Sequence, residues 1–335
     1  MTDERPAPVL VTIADIRAAA AVLRGITVQT PLVPFGRPAR RHWLKAESLQ
    51  PIGSFKLRGA YVAAAALSRE ARARGLVTYS SGNHAQGVAR AAALLGVPAV
   101  IVMPSDAPAL KRARVEQDGA QVVIVGTASE ERRLVAEQIA SARGLAIIPP
   151  FDDPRIVAGQ GTAGLEIAEA MPDVAAVLVP VGGGGLASGV AAALTALAPD
   201  ARIIGVEPEL AADARESLAA GHIVRWSADR VSRTIADGTR TQSIGHLNFA
   251  HLSAQVDAIV TVSEAEIAAA VRLAAEEARL VVEPSGALPV AAMRFHAEEA
   301  GLNGLDGPIV GVVSGGNVDR DRYLACLEAP IPPEG

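Results

Sequence analysis

From about residue 57 the chain alternates between two kinds of segment, and this alternation constrains the fold more than any other feature. Helix-like stretches at 57–67, 83–95, 108–118 and 128–143 are separated by short apolar runs at 76–80 (LVTYS), 98–103 (PAVIVM), 121–125 (QVVIV) and 145–148 (LAII). A second set comes next: helix 157–171, strand 175–181, helix 186–198, strand 202–207. After a polar, irregular stretch come strand 258–263, helices 264–279 and 286–300, and strand 309–314. Apolar runs this short, each joined to the next through a helix, read as buried strands of βαβ units, whose strands run parallel. The sequence therefore predicts an α/β protein with two open parallel sheets. The Pro- and Asp-rich residues 149–154 (PPFDDP) are the expected crossover between the two sets. Upstream, residues 12–24 read as a helix with Thr12 as N-cap and Asp15 in capping-box position. Pro31 and Pro34 mark an extended approach to the segment around Lys56.

Composition supports this class and removes others. Half of the 335 residues are hydrophobic and only 3% are aromatic. Alanine, valine and glycine dominate, which suits helices packed on buried parallel strands. The net charge of −5 comes from mixed signs with no basic block, so nucleic acid is not an expected partner. The single Cys326 excludes an internal disulfide and fits a reducing, cytoplasmic setting. The N-terminus carries acidic residues and no apolar core of signal-peptide length. The uncharged run 174–199 is long enough to question as a membrane span, but Pro180 and four glycines interrupt it. A strand, a loop and a helix explain it better. The chain shows no internal repeat, and from its short C-terminus (PIPPEG) no appended regulatory domain is expected.

Only three lysines, Lys45, Lys56 and Lys111, stand among 31 basic residues. Lys56 lies in the run Gly53-Ser54-Phe55-Lys56-Leu57-Arg58-Gly59. Arginine stays protonated, whereas a desolvated lysine can lose its proton and attack a carbonyl. Phe55 and the apolar helix beyond would supply the desolvation. The plainer reading is a surface lysine at a helix start capped by Ser54.

Ligands of open α/β sheets sit beyond the carboxyl ends of the strands, and four such ends carry unusual residues. Ser80-Ser81-Gly82-Asn83-His84 comes after strand 76–80 and offers backbone N–H groups at a helix N-terminus, a cradle for a carboxylate. Ser81 is small enough to approach a substrate carbon. Gly182-Gly183-Gly184-Gly185 can turn several N–H groups towards one anion, a phosphate above all. The same segment, with Ser188 and Glu207, mimics the dinucleotide fingerprint, so a nicotinamide-dependent dehydrogenase competes here. AGQGTAG, with Gly159, Gly161 and Gly164, matches that fingerprint more weakly. Glu207 and Asp213, with carbonyls between them, could bind a hard cation, or could simply be acids at a helix start. Ser314-Gly315-Gly316-Asn317 comes after the last strand and would hold a hydroxyl at the sheet's edge.

Taken together, these pieces resemble the fold-type-II pyridoxal-phosphate enzymes, and among them the serine/threonine dehydratase and serine racemase group. The resemblance runs from about residue 10 to residue 325. It rests on KAESLQPIGSFKLRGA, SSGNHAQGVA, PPFDDPRIVAGQGT, PVGGGGLASG, GVEPELAAD, ADGTRTQSIG, EPSGA and SGGNVD, in family order. It implies a large cofactor-binding domain of residues 1–52 and 149–335 and a small substrate-side domain of residues 53–148, with the cofactor between them. It also implies that Lys56 forms a Schiff base with pyridoxal 5'-phosphate. Phe55 and Asn83 would hold the ring, Asn83 through its phenolic oxygen. Gly182, Gly183, Gly184 and Gly185 would cup the phosphate, and Ser314 would hydrogen-bond the pyridine nitrogen. Ser81, Gly82 and His84 would receive the substrate carboxylate, with Ser81 also facing the substrate opposite Lys56. Glu207, the carbonyl of Ala211, and Asp213 match the group's Mg²⁺ or Ca²⁺ site. Arg132 aligns with an arginine near the substrate in racemases, although a solvated helix face is the preferred reading for it. The implied activity is an ammonia-lyase that converts L-threonine or L-serine to a 2-oxo acid and ammonia. Serine racemase and 3-hydroxyaspartate dehydratase are the alternatives. A homo-oligomer, such as a homodimer, is the expected assembly.

Overall fold

The protein is described here by a computed structural model covering residues 8–36, 41–80, 82–105, 107, 109–126 and 129–333. Ten strands form two sheets: β1 (Leu32–Phe35), β2 (His42–Ala46), β3 (Leu76–Tyr79), β4 (Ala99–Pro104), β5 (Gln121–Val125), β6 (Ala146–Ile147), β7 (Ala176–Pro180), β8 (Arg202–Pro208), β9 (Ala258–Val262) and β10 (Ile309–Val313). The six-stranded sheet runs β1-β2-β10-β7-β8-β9 and the four-stranded sheet β5-β4-β3-β6. Every neighbouring pair is parallel except β1 and β2. The fold is therefore the expected pair of parallel-sheet α/β units, with one antiparallel strand added at an edge. That edge accommodates Pro34, which has no N–H to give a central strand.

The alternation located the strands from β3 onwards to within one or two residues. It missed β1 and β2, whose sequences (LVPF and HWLKA) carry a proline or polar residues in place of an apolar run. Lys45 on β2 is nevertheless buried, because its ammonium meets Glu166 at 2.5 Å and the Thr30 carbonyl at 2.6 Å. Helices at Arg69–Arg74, Ala228–Val231, His246–Gln255 and Arg320–Leu327 were also missed, whereas Asp213 does open a helix, Asp213–Ala220. The helix expected from 157 begins earlier, as Pro154–Ala170, with Asp153 accepting the Arg155 N–H as its cap and Pro154 in its first turn. The Thr12–Asp15 capping box forms as expected.

Apolar clusters cover both faces of each sheet. Small residues let the central helices meet backbone to backbone. A Cβ on Gly159 would stand 2.6 Å from the Cα of Gly59, and one on Gly164 would stand 2.8 Å from the Cα of Val190. The AGQGTAG glycines thus serve helix packing and are not a nucleotide loop. Run 174–199 is β7, the glycine loop and the Gly185–Leu197 helix. Among the described residues no helix is long and apolar enough to cross a membrane.

Candidate active site

Between the two sheets, beyond the carboxyl ends of β3, β7 and β10, lies a cavity of about 400 Å³. Phe55, Lys56, Gly82, Asn83, His84, Gly182 to Gly185 and Ser314 all line it, so the structure brings together the residues predicted to bind cofactor and substrate. Ser81 lies outside the described residues.

Lys56 opens the helix Lys56–Ala65. Ser54 does not cap it: its hydroxyl is buried and has no hydrogen-bond partner. The approach segment instead clips onto the loop after β10. Phe55 N–H donates to the Ser314 carbonyl at 3.1 Å, Gly316 N–H donates to the Gly53 carbonyl at 2.9 Å, and Ser54 bridges Gly315. Lys56 and Ser314 are thereby held in one rigid unit. The Lys56 ammonium reaches the Pro150 carbonyl at 2.9 Å and stands 5.0 Å from the Phe55 ring centre. Burial lowers its pKa to about 8, with the Glu283 carboxylate opposing part of the shift.

The tetraglycine loop leads into the Gly185–Leu197 helix, whose first N–H groups have no partner within the helix. Gly184 has φ +90°, a conformation that disfavours a side chain. The Gly183 carbonyl accepts from Asn248 at 2.7 Å and from Gly245 N–H at 3.1 Å. A Cβ on Gly183 would overlap the Phe151 ring. The loop is a cradle built without side chains, and it fits a phosphate.

Residues 149–154 do more than cross between sheets. The Pro150 carbonyl accepts from Lys56, Phe151 packs on the glycine loop, and Asp152 accepts the N–H groups of His246 and Leu247.

His84 is buried, and burial lowers its pKa to about 3, so the imidazole is neutral. Its Nε2 lies 3.0 Å from the Ile148 carbonyl and must therefore carry the proton. Nδ1 is left as an acceptor without a partner. What His84 can offer a substrate carboxylate is its backbone N–H at the start of helix Asn83–Leu95, not its ring.

Several residues that sequence reasoning did not single out also line the cavity. Glu283, 2% exposed, accepts from Asn83 Nδ2 at 2.6 Å, while its other oxygen has no partner. Burial and the nearby Asp237 raise its pKa to about 7 against the pull of Lys111, Asn83 and Lys56. Lys111 bridges to Asp237 at 2.5 Å across the cavity wall. Asp237 and Glu283 together outweigh the burial of Lys111 and raise its pKa. EPSGA and ADGTRTQSIG marked these stretches, but nothing local identified Glu283 or Asp237 as cavity residues. Arg132, expected on a solvated face, lines the cavity with Arg133, Arg225 and Arg240.

Glu207 and Asp213 are both fully buried. Glu207 accepts the N–H groups of Ala214 at 3.0 Å and Arg215 at 2.8 Å. Burial and Asp213 push its pKa well above the usual range. Both Asp213 oxygens lack hydrogen bonds, and burial raises its pKa to about 7. Two buried carboxylates of this kind suit a cation. Among the described residues no three His, Cys, Asp or Glu side chains converge on one point.

The profile of the family of pyridoxal-phosphate dependent enzymes matches residues 23–315. The chain belongs to this family. It is 43% identical over 286 residues to the L-threo-3-hydroxyaspartate ammonia-lyase of Saccharomyces cerevisiae, covering 85% of each chain. It superimposes on a threonine deaminase from T.th. with a TM-score of 0.83 and 46% identity, over 92% of this chain and 99% of that one. For maize serine racemase the TM-score is 0.87 at 35% identity, over 95% and 97% of the two chains. The chain is a pyridoxal-phosphate-dependent ammonia-lyase of the threonine/serine dehydratase type. A nicotinamide enzyme at the tetraglycine loop is set aside, and Glu207, at the end of β8 and engaged by the N–H groups of the helix Asp213–Ala220, is no ribose ligand.

Proposed function

We propose that the preferred substrate is a β-hydroxy amino acid with a second carboxylate, of the L-threo-3-hydroxyaspartate class, with L-threonine and L-serine turned over less well. The charge of the cavity wall carries this reading. Among the described residues, Lys56, Lys111, Arg132, Arg133, Arg225 and Arg240 line it, with Asp237 and Glu283 as its acids. A phosphate on the glycine loop and one carboxylate at the Asn83 helix need few of those side chains. The remaining excess of arginine suits a further carboxylate.

Bound pyridoxal phosphate supplies the electron sink that allows the Cα–H bond to break. The residues present fit it: a side-chain-free cradle at Gly182 to Gly185, a hydroxyl at Ser314, an amide at Asn83 and a desolvated amine at Lys56. In this reading Lys56 anchors the cofactor, and its Nζ takes the Cα proton. The N–H groups of Gly82 to His84 hold the α-carboxylate. The β-hydroxyl leaves with a proton as water, and the released enamine is hydrolysed to a 2-oxo acid and ammonium. Ser81 stands as the group that would return a proton from the opposite face. Glu207, Ala211 and Asp213 would hold Mg²⁺ or Ca²⁺, and the enzyme would work as a homo-oligomer in the cytoplasm.

The test compares 2-oxo acid release from L-threo-3-hydroxyaspartate, L-threonine and L-serine by the cofactor-loaded enzyme. One charge-assisted contact predicts kcat/KM for the dicarboxylate about tenfold or more above the others. Arg132→Gln should lower that value alone. Equal or better turnover of threonine or serine would overturn the proposal.

A further inference from the structure

We infer that Asn317 is a positioning residue that sets which way the Asn83 amide faces the cofactor. This rests on the reading that Asn83 meets the phenolic oxygen of pyridoxal phosphate. An asparagine amide has a donor end and an acceptor end of nearly the same shape. Asn83 can therefore present either an N–H or a carbonyl to the cavity, and only an N–H suits an ionised phenol.

The choice is made by a chain of hydrogen bonds anchored, at its Asn317 end, by two groups that cannot reverse. At one end is the Arg114 guanidinium, which can only donate, and it donates to Asn317 Oδ1. Asn317 Nδ2 donates to the Ile52 carbonyl at 2.8 Å, a backbone acceptor that cannot reverse. The same Nδ2 donates to Asn83 Oδ1 at 2.8 Å. Asn83 Nδ2 in turn donates to Glu283 Oε1 at 2.6 Å, the accepting end of the chain. With Oδ1 held by Asn317, the hydrogen left on Asn83 Nδ2 is what the cavity sees.

Two further observations show that the arrangement is built in. Asn317 is 6% exposed, and Gly53, at φ +73°, leaves it room: a Cβ there would overlap Asn317 Oδ1. The chain also crosses the cleft. Arg114 and Asn83 lie on helices that accompany the four-stranded sheet, whereas Asn317 and Glu283 belong to the six-stranded part. The polarity of Asn83 is therefore set when the two halves are together.

The experiment uses Asn317→Asp, which keeps the shape and the acceptor for Arg114 but loses both donors. Asn83 should then turn its Nδ2 towards residue 317 and its carbonyl towards the cavity. The readout is the absorption spectrum of the cofactor-loaded protein, whose visible band needs the ionised phenol. We expect the ratio of visible to near-ultraviolet absorbance to fall about tenfold, the effect of one hydrogen bond to a charged group. The cofactor dissociation constant should rise by a similar factor. Asn83→Ala should show the same shift, and in that background Asn317→Asp should add nothing. Asn317→Ala serves the same test should the aspartate variant not fold. A wild-type band ratio in a folded Asn317 variant, with the shift present in Asn83→Ala, overturns the role of Asn317. No shift in Asn83→Ala overturns both the Asn83 reading and this one.

Discussion

Arg58 offers a sharp quantitative test, because its surroundings use every donor it has. It is 1% exposed and stands two residues beyond Lys56 on the same helix. Its guanidinium grips Glu47 through Nε and Nη2, each at 2.8 Å. It meets Glu166 at 2.6 and 2.9 Å and Thr162 at 3.0 Å. Burial alone would lower the pKa of Arg58, but Glu47 and Glu166 raise it. Glu47 is fully buried, and burial would raise its pKa; Arg58, aided by Lys45 and Thr30, brings it below the usual range. With Lys45, the cluster holds two cations and two anions. Arg58→Met leaves one buried anion unbalanced, which costs about 3–5 kcal/mol. At about 2 °C per kcal/mol for a chain of this size, the melting temperature should fall by about 6–10 °C. The double variant Arg58→Met/Glu47→Leu leaves Lys45 and Glu166 as a matched pair and should recover most of that loss. The assay is urea and thermal unfolding of all three proteins, with ammonia release measured in parallel. A single variant within about 0.5 kcal/mol of wild type would refute the argument, being no more than an ordinary surface change. So would a double variant no more stable than the single one, since charge balance would then not be the cause.

Four other outcomes can be drawn from the same structure. Gly183→Ala drives a methyl into the Phe151 ring, and overpacking of about 1–3 kcal/mol predicts a cofactor dissociation constant raised about 5- to 150-fold, read by equilibrium dialysis. Lys56→Ala should abolish ammonia release. In the apoprotein, a folded pKa of about 8 lies below the unfolded value near 10.5, so the unfolded chain holds the proton between those two pH values. Stability should therefore rise with pH across that window, by up to about 3 kcal/mol, and the rise should vanish in Lys56→Met. For the cation site, Mg²⁺ at about 100 times its dissociation constant should stabilise the wild type by about 2.7 kcal/mol and leave Asp213→Ala unmoved. Differential scanning fluorimetry with and without EDTA reads this, and equal responses in the two proteins would return Glu207 and Asp213 to plain helix-start acids.

What the sequence made legible was whatever is written locally. Short apolar runs between helices show as strands, fully buried in β4, β7 and β10 and only partly so at the edges β5 and β6, which is why β3 to β10 could be located. β1 and β2 could not, because their burial depends on partners far along the chain, such as Glu166 for Lys45. The tetraglycine and the Lys56 run are local statements about backbone freedom and desolvation, and both reach the cavity. Glu283 and Asn317 are different. Each owes its position to residues more than 190 places away: Asn83 for Glu283, and Ile52, Asn83 and Arg114 for Asn317. Arg132 was misplaced for a related reason. Its helix, Ser129–Arg143, is polar enough that sequence alone does not say which arginine faces the cleft.

The scarcity of lysine acquires a physical meaning once all three are placed. Lys45 is held by Glu166 in the interior, Lys111 ties one half of the molecule to Asp237 on the other, and Lys56 opens onto the cavity. A compact ammonium suits the first two positions, where a single point of charge meets one carboxylate at 2.5 Å. Of the three, Lys56 is the one whose near contact is a backbone carbonyl, that of Pro150, in place of a carboxylate. Lys111 sits against acids that favour the charged form, whereas Lys56 is desolvated with Glu283 offsetting only part of the shift. Burial pushes the same way at Lys111 and at Lys56, against the charged form, and the neighbours decide the outcome. At Lys111 the adjacent carboxylate holds the proton on, and at Lys56, with a carbonyl in its place, burial prevails and leaves an amine able to bond to an aldehyde and to take a proton from carbon.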